Sequence, residues 1–268
     1  MSSYFRFNAA SHHFYPNDQD EIDLLVGTSH VGGIVRNHEK NKTNKLSSLC
    51  YPGANITHPE VLSKIIQDIK LVVGKYKIKK LFLQFGSNDI CNVSNILWPV
   101  NKNTNEINDK IVYGTSTPHT DEDPLNIIQS YPSEIIDCYD SFIDDYFYCL
   151  DEIIQILAPQ QVYIIACMGR YLKGVDSHVG YNRSSYYLRN RIYRRYGEVQ
   201  RIDDNNNVTI IDLFVNHWCT GTNHLLHHHK MTEIVKCVMQ DMYYTQYGGV
   251  HYSAAVYGKI LDAILDNI

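Results

Sequence analysis

The sequence predicts an α/β protein whose parallel sheet is covered by helices on both faces. Three observations carry that prediction. Short apolar runs stopped by glycine alternate with longer segments along the chain. The short runs are near-continuous, as expected of strands buried on both faces. The longer segments space their apolar residues three and four apart, as amphipathic helices do. Of the 268 residues, 44% are hydrophobic and 20% charged. That excludes wholesale disorder and supplies a sizeable core.

The elements follow in order. Residues 1–20 lack periodicity and read as a flexible N-terminal arm, and 21–268 reads as a single domain with no linker or repeat. Residues 22–27 form a strand ended by Gly27, after which Thr28, Ser29 and His30 turn the chain into a helix start. A second strand, 46–51, closes at Pro52 and Gly53. Helix 58–76 carries Val61, Leu62, Ile65, Ile66, Ile69, Val72 and Val73 at helical spacing, with Pro59 in its first turn. Strand 78–85 carries Leu81, Phe82, Leu83 and Phe85 and ends at Gly86. From 91 to 132 the pattern dissolves into a polar, turn-rich stretch. It reads as a long insertion with Trp98 and Tyr113 as its apolar contacts. Ser133 caps a helix over 133–157. There follow a strand at 161–166, a basic Tyr-rich helix at 184–199, a strand at 208–213 and a short helix at 231–243. A closing helix spans 252–268.

Charge and cysteine usage limit the partners. The 24 basic residues are outnumbered by 29 acidic ones, a net charge of −5, which disfavours a nucleic-acid backbone as ligand. Arg183, Arg189, Arg191, Arg194 and Arg195, interleaved with tyrosines, are the exception. They read first as a solvated helix face and second as a stacking surface. The seven cysteines are widely spaced with no Cys-x-x-Cys, as in reduced thiols. With no apolar leader and no run of about 18 apolar residues, the expectation is a cytoplasmic protein without a membrane span. His224, His227, His228 and His229 invite a metal but read first as a solvated loop. The 21 Tyr and 13 His come with many Asn, Ile and Lys, a bias of A/T-rich codons more than of chemistry.

Four turns carry the chemistry. They are Gly27-Thr28-Ser29-His30, Pro52-Gly53-Ala54-Asn55, Gly86-Ser87-Asn88-Asp89 and Gly249-Val250-His251-Tyr252-Ser253. In this order, with these elements between them, they resemble the SGNH hydrolases, the GDSL-type esterase superfamily, from about residue 22 to the end. The resemblance implies a flavodoxin-like, three-layer α/β/α fold with about five parallel strands in the order 2-1-3-4-5. It also implies ester hydrolysis with no cofactor and no metal.

The chemistry needs an activated nucleophile, a base and donors for the oxyanion. Ser29, on a strand-to-helix turn, can expose its Oγ, and His251 can take and return its proton. By resemblance the oxyanion hole is the Ser29 N–H, the Gly53 N–H and Asn88 Nδ2, while Asp89 holds its turn. Two positions depart from the family. Thr28 stands where an Asp usually precedes the nucleophile, and Gly248 stands where the acid of Asp-x-x-His would be. A Ser-His dyad results, with His251 Nδ1–H left to a backbone carbonyl, to water or to an acid from elsewhere, for which Asp241 is the nearby candidate in sequence. The substrate class is a small-molecule, carbohydrate or lipid ester. The alternative is an inactive SGNH-fold binding or structural module. The wording of the turns also resembles esterase-like domains of retroelement and virus-encoded proteins, which with the codon bias suggests a viral source and a virion-associated location. Oligomeric state is left open.

Overall fold

The computed structural model describes residues 11–41, 46–97, 133–165, 188, 191, 192, 195, 208–211, 251, 252 and 254–268. The strands are β1 (Ser11–His13), β2 (Glu21–Gly27), β3 (Leu46–Cys50), β4 (Lys77–Gln84), β5 (Gln161–Ile165) and β6 (Val208–Ile211). The helices are α1 (Ser29–Asn41), α2 (Pro59–Val73), α3 (Ser87–Leu97), α4 (Ser133–Leu157) and α5 (Ala254–Leu265). The strands form one six-stranded sheet in the order β1-β3-β2-β4-β5-β6. Every pairing is parallel except that of β1 with β3. Without β1 the order is the expected 2-1-3-4-5.

The period-two alternation of the strands divides the core into two layers. Ile22, Leu24 and Val26 of β2, with Leu81 and Leu83 of β4 and Val162 and Ile164 of β5, pack against α2, α3 and α4. Leu25, Phe82, Tyr163 and Ile165 point the other way, onto α1 and α5. The helices supply matching stripes. Val61, Leu62, Ile65, Ile69 and Val72 are the buried face of α2, and Pro59 occupies its first turn. In α1, Val31, Ile34 and Val35 are buried. This is the three-layer arrangement expected of the sequence.

Two expectations are corrected. Part of the supposed arm is ordered structure, because Ser11, His12 and His13 pair with Cys50, Leu49 and Ser48. The Tyr15 N–H donates to Ser47 Oγ at 2.9 Å, and Asn17 Oδ1 accepts from the Gln19 and Glu21 N–H groups as the chain turns into β2. A three-residue edge strand is too short to show periodicity, and short edges are a common way to end a sheet. Second, the irregular stretch does not begin at 91, since α3 runs from Ser87 to Leu97. Ile90 and Val93, three apart and buried, bind this helix to the core.

Arg191 and Arg195 face α4. Arg191 pairs with Asp140 at 2.7 Å. Arg195 pairs with Asp144 and lies 4.6 Å over the Phe147 ring. Both guanidinium groups are thus directed at neighbouring carboxylates, which weakens the stacking-surface reading of that segment. Among the described residues no helix is long and apolar enough to cross a membrane.

Candidate active site

The sheet register brings three of the four turns to one level. Gly27, the last residue of β2, pairs with Cys50 on one side and with Gln84 on the other. The ladder continues one step further, with the Tyr51 N–H donating to the Gly27 carbonyl at 2.8 Å and the Thr28 N–H to the Gln84 carbonyl at 3.1 Å. The segments leaving β2, β3 and β4 therefore diverge from a common edge. The chain passes from β2 to β3 on one side and on to β4 on the other. That is a switch point, where parallel sheets open a crevice at their carboxyl ends.

Thr28 is the cap of α1. Its carbonyl accepts the Val31 N–H at 3.0 Å and its hydroxyl lies 3.5 Å from the His30 N–H. The same hydroxyl donates to Gln84 Oε1 at 2.7 Å, in a site with no exposure to solvent. Thr28 thus fixes the turn without a charge, and Ser29 is relieved of capping. Half-buried at the first helical position, Ser29 has its Oγ 3.0 Å from His251 Nε2, across 222 residues of chain. The backbone N–H at this position lies in the positive field of the α1 N-terminus.

His251 is exposed, yet enough of its ring is covered for burial to lower its pKa below the ordinary 6.5, helped by the positive charge of Arg36. The shift favours the neutral imidazole, the form that can accept a proton. Gly53 sits in the turn Tyr51-Pro52-Gly53-Ala54, closed by the Ala54 N–H donating to the Tyr51 carbonyl at 3.1 Å. Its φ of +77° is the left-handed value that the third residue of a Pro-Gly type II turn requires.

Asn88 braces this turn, and its neighbour Asp89 holds the segment that follows it. Asn88 Nδ2 donates to the Ala54 carbonyl at 3.0 Å, which leaves one amide hydrogen for a further acceptor. Asp89 Oδ1 accepts the Thr57 N–H at 3.0 Å, a bond that ties its turn to the segment after Ala54. Asp89 has no solvent exposure, and burial raises its pKa from 3.8 to about 6, against hydrogen bonds that lower it. The folded state therefore binds this proton more tightly than the unfolded chain does. Stability is expected to fall as pH rises from about 4 to about 6 and then to level off. A shift of about two units corresponds to roughly 3 kcal/mol. Urea denaturation of wild type and Asp89→Asn at pH 4 and pH 7 checks this. The loss between the two pH values should be smaller in the variant by that order.

Sequence reasoning missed His30. It is 1% exposed, with Nδ1 2.9 Å from Tyr257 Oη, and burial together with neighbouring His251 lowers its pKa to about 3. The signal was present, since His30 lies four residues before buried Ile34 and so on the inward stripe of α1. Asp241, Gly248, Trp98, Tyr113 and the histidines at 224, 227, 228 and 229 lie outside the described residues, as do 98–132 of the expected insertion.

No family model and no curated protein matches the chain. Solved structures do. A GDSL-like lipase from Bacteroides thetaiotaomicron aligns over 94% of this chain and 92% of its own, with a TM-score of 0.50 at 14% identity. A lipase/acylhydrolase from Enterococcus faecalis aligns over 92% and 95%, with a TM-score of 0.46 at 13% identity. A variant of an acetyl-xylooligosaccharide esterase from Geobacillus aligns over 92% and 93%, at 0.47 and 13%. The sheet order, the layer arrangement and the match to the Bacteroides lipase lead to one conclusion: the chain has the fold of the SGNH, or GDSL-like, hydrolases.

Proposed function

We propose that the protein is a serine hydrolase that cleaves a carboxylic ester through a Ser29–His251 dyad. The observation that carries the reading is the 3.0 Å approach of Ser29 Oγ to His251 Nε2 at the carboxyl edge of the sheet. In this mechanism Ser29 Oγ attacks the ester carbonyl as His251 Nε2 takes its proton. The proton passes to the leaving alkoxide, which departs as the alcohol. Water, deprotonated by the same imidazole, then releases the acid and restores Ser29. The Ser29 N–H, the Gly53 N–H and the second hydrogen of Asn88 Nδ2 are the donors for the oxyanion. The bracing of the Gly53 turn by Asn88 supports this assignment, because such donors act through preorganisation.

The GDSL-like lipase whose fold the chain shares supports an ester substrate. A small acyl ester, an O-acetylated sugar or a lipid ester fits the chemistry. The test is hydrolysis of p-nitrophenyl acetate, present in wild type and lost in Ser29→Ala. A second reading, a binding module on the same fold, rests on Gly248 at the family's acid position. It predicts no turnover, and ligand binding indifferent to Ser29→Ala.

The dyad also sets a pH dependence. Only neutral His251 can accept the Ser29 proton, so kcat/KM should fall as pH drops through the His251 pKa. Burial and Arg36 lower that pKa, so the acid limb should have its midpoint below 6.5. Arg36→Gln removes a positive charge and should move the midpoint upward. A pH–rate profile of the two proteins checks both statements.

A further inference from the structure

We propose that His30 is a positioning residue whose ring, anchored by the Tyr257 hydroxyl, holds His251 in register with Ser29. The proposal rests on reading Ser29 and His251 as the working pair. His30 immediately follows Ser29 on α1, and its ring centre lies 5.7 Å from that of His251 and 4.5 Å from that of Tyr252. Tyr252, the next residue after His251, is 2% exposed and so fixes that segment onto His30. One hydroxyl ties the group together, since Tyr257 Oη bonds both His30 Nδ1 and the Tyr252 backbone. The two halves of the dyad are distant in sequence, and the His30 ring bridges them in space.

The sequence of α1 shows an accommodation for this arrangement. Gly33 lies one turn beyond His30, and a Cβ there would meet the Tyr257 ring at 2.5 Å. Glycine inside a helix costs about 1 kcal/mol relative to alanine. Here it lets the Tyr257 ring cross close to the α1 backbone and carry its hydroxyl to the first turn.

The chemistry of His30 suits the task. Burial holds its pKa down at about 3, so it is uncharged at neutral pH and adds no charge beside the imidazolium formed during turnover. Among the described residues, Arg36 of α1 acts on His251 by its charge, and His30 of α1 faces it ring to ring, with Tyr257 of α5 behind His30.

The test uses the full chain and two readouts, p-nitrophenyl acetate kinetics and NMR titration of the His251 ring. His30→Asn can keep a bond to the Tyr257 hydroxyl but presents no ring to His251. We expect it to remain folded, to lose about 10- to 100-fold in kcat with KM unchanged, and to raise the His251 midpoint as ring cover is lost. His30→Phe restores a ring and should recover part of the kcat. Tyr257→Phe keeps the ring but removes the hydroxyl that holds both His30 and the Tyr252 backbone; it should show a smaller loss in the same direction, which keeps the test available if His30→Asn does not fold. An unmoved His251 midpoint overturns the proposal whatever the kinetics, and a moved midpoint with wild-type kcat overturns it too. If wild type hydrolyses nothing, the dyad reading fails separately, and the midpoint alone decides the role of His30.

Discussion

Ser29→Ala is expected to lower kcat for p-nitrophenyl acetate by about 10³-fold or more while leaving the fold intact. The magnitude follows from the loss of the nucleophile, the hydroxyl that lies 3.0 Å from His251 Nε2. The intact fold follows from the division of labour at the start of α1. Thr28 caps the helix and bonds Gln84 Oε1, so the Ser29 hydroxyl is not needed to end the helix. Alanine is a better helix former than serine by about 0.5 kcal/mol, so the variant should melt at or slightly above the wild-type temperature. A large loss of rate at unchanged stability is therefore the signature. Loss of rate with unfolding would point instead to a structural serine.

Asn88→Ala is expected to cost about 10²–10³ in kcat, with a much smaller change in KM. Two effects combine at this position. The amide hydrogen assigned to the oxyanion disappears, and so does the bond to the Ala54 carbonyl that braces the Gly53 turn. Both act on charge that develops in the transition state, which is why the loss should fall on kcat. Steady-state kinetics over a range of substrate concentrations separates the two constants. A variant within a few-fold of wild type would remove Asn88 from the oxyanion site.

Much of this arrangement is legible in the sequence, for physical reasons that differ by element. Strands β2, β4 and β5 are short continuous apolar runs, and α2 and α4 have long apolar stripes, so burial alone marks them. Ser29 and His251 are legible through the order of the turns, since a lone Ser or His carries little. β1 escapes because three polar residues on a sheet edge have no pattern to read. The start of α3 escapes because Gly86, Ser87, Asn88 and Asp89 read as a turn, and the apolar spacing appears only from Ile90 onward. His30 and Tyr257 lie far apart in sequence, and nothing in either local pattern announces the 2.9 Å bond between them. Pairing of Arg191 with Asp140 is hidden in the same way, since each charge alone suits a solvated face.

The most direct measurement is covalent labelling with a fluorophosphonate, followed by peptide mass mapping of the modified residue. The dyad predicts one adduct per chain, on Ser29, formed by folded wild type, absent in Ser29→Ala and strongly slowed in His251→Ala. Folded wild-type protein that yields no adduct on Ser29, or one that forms equally fast without His251, would contradict the account.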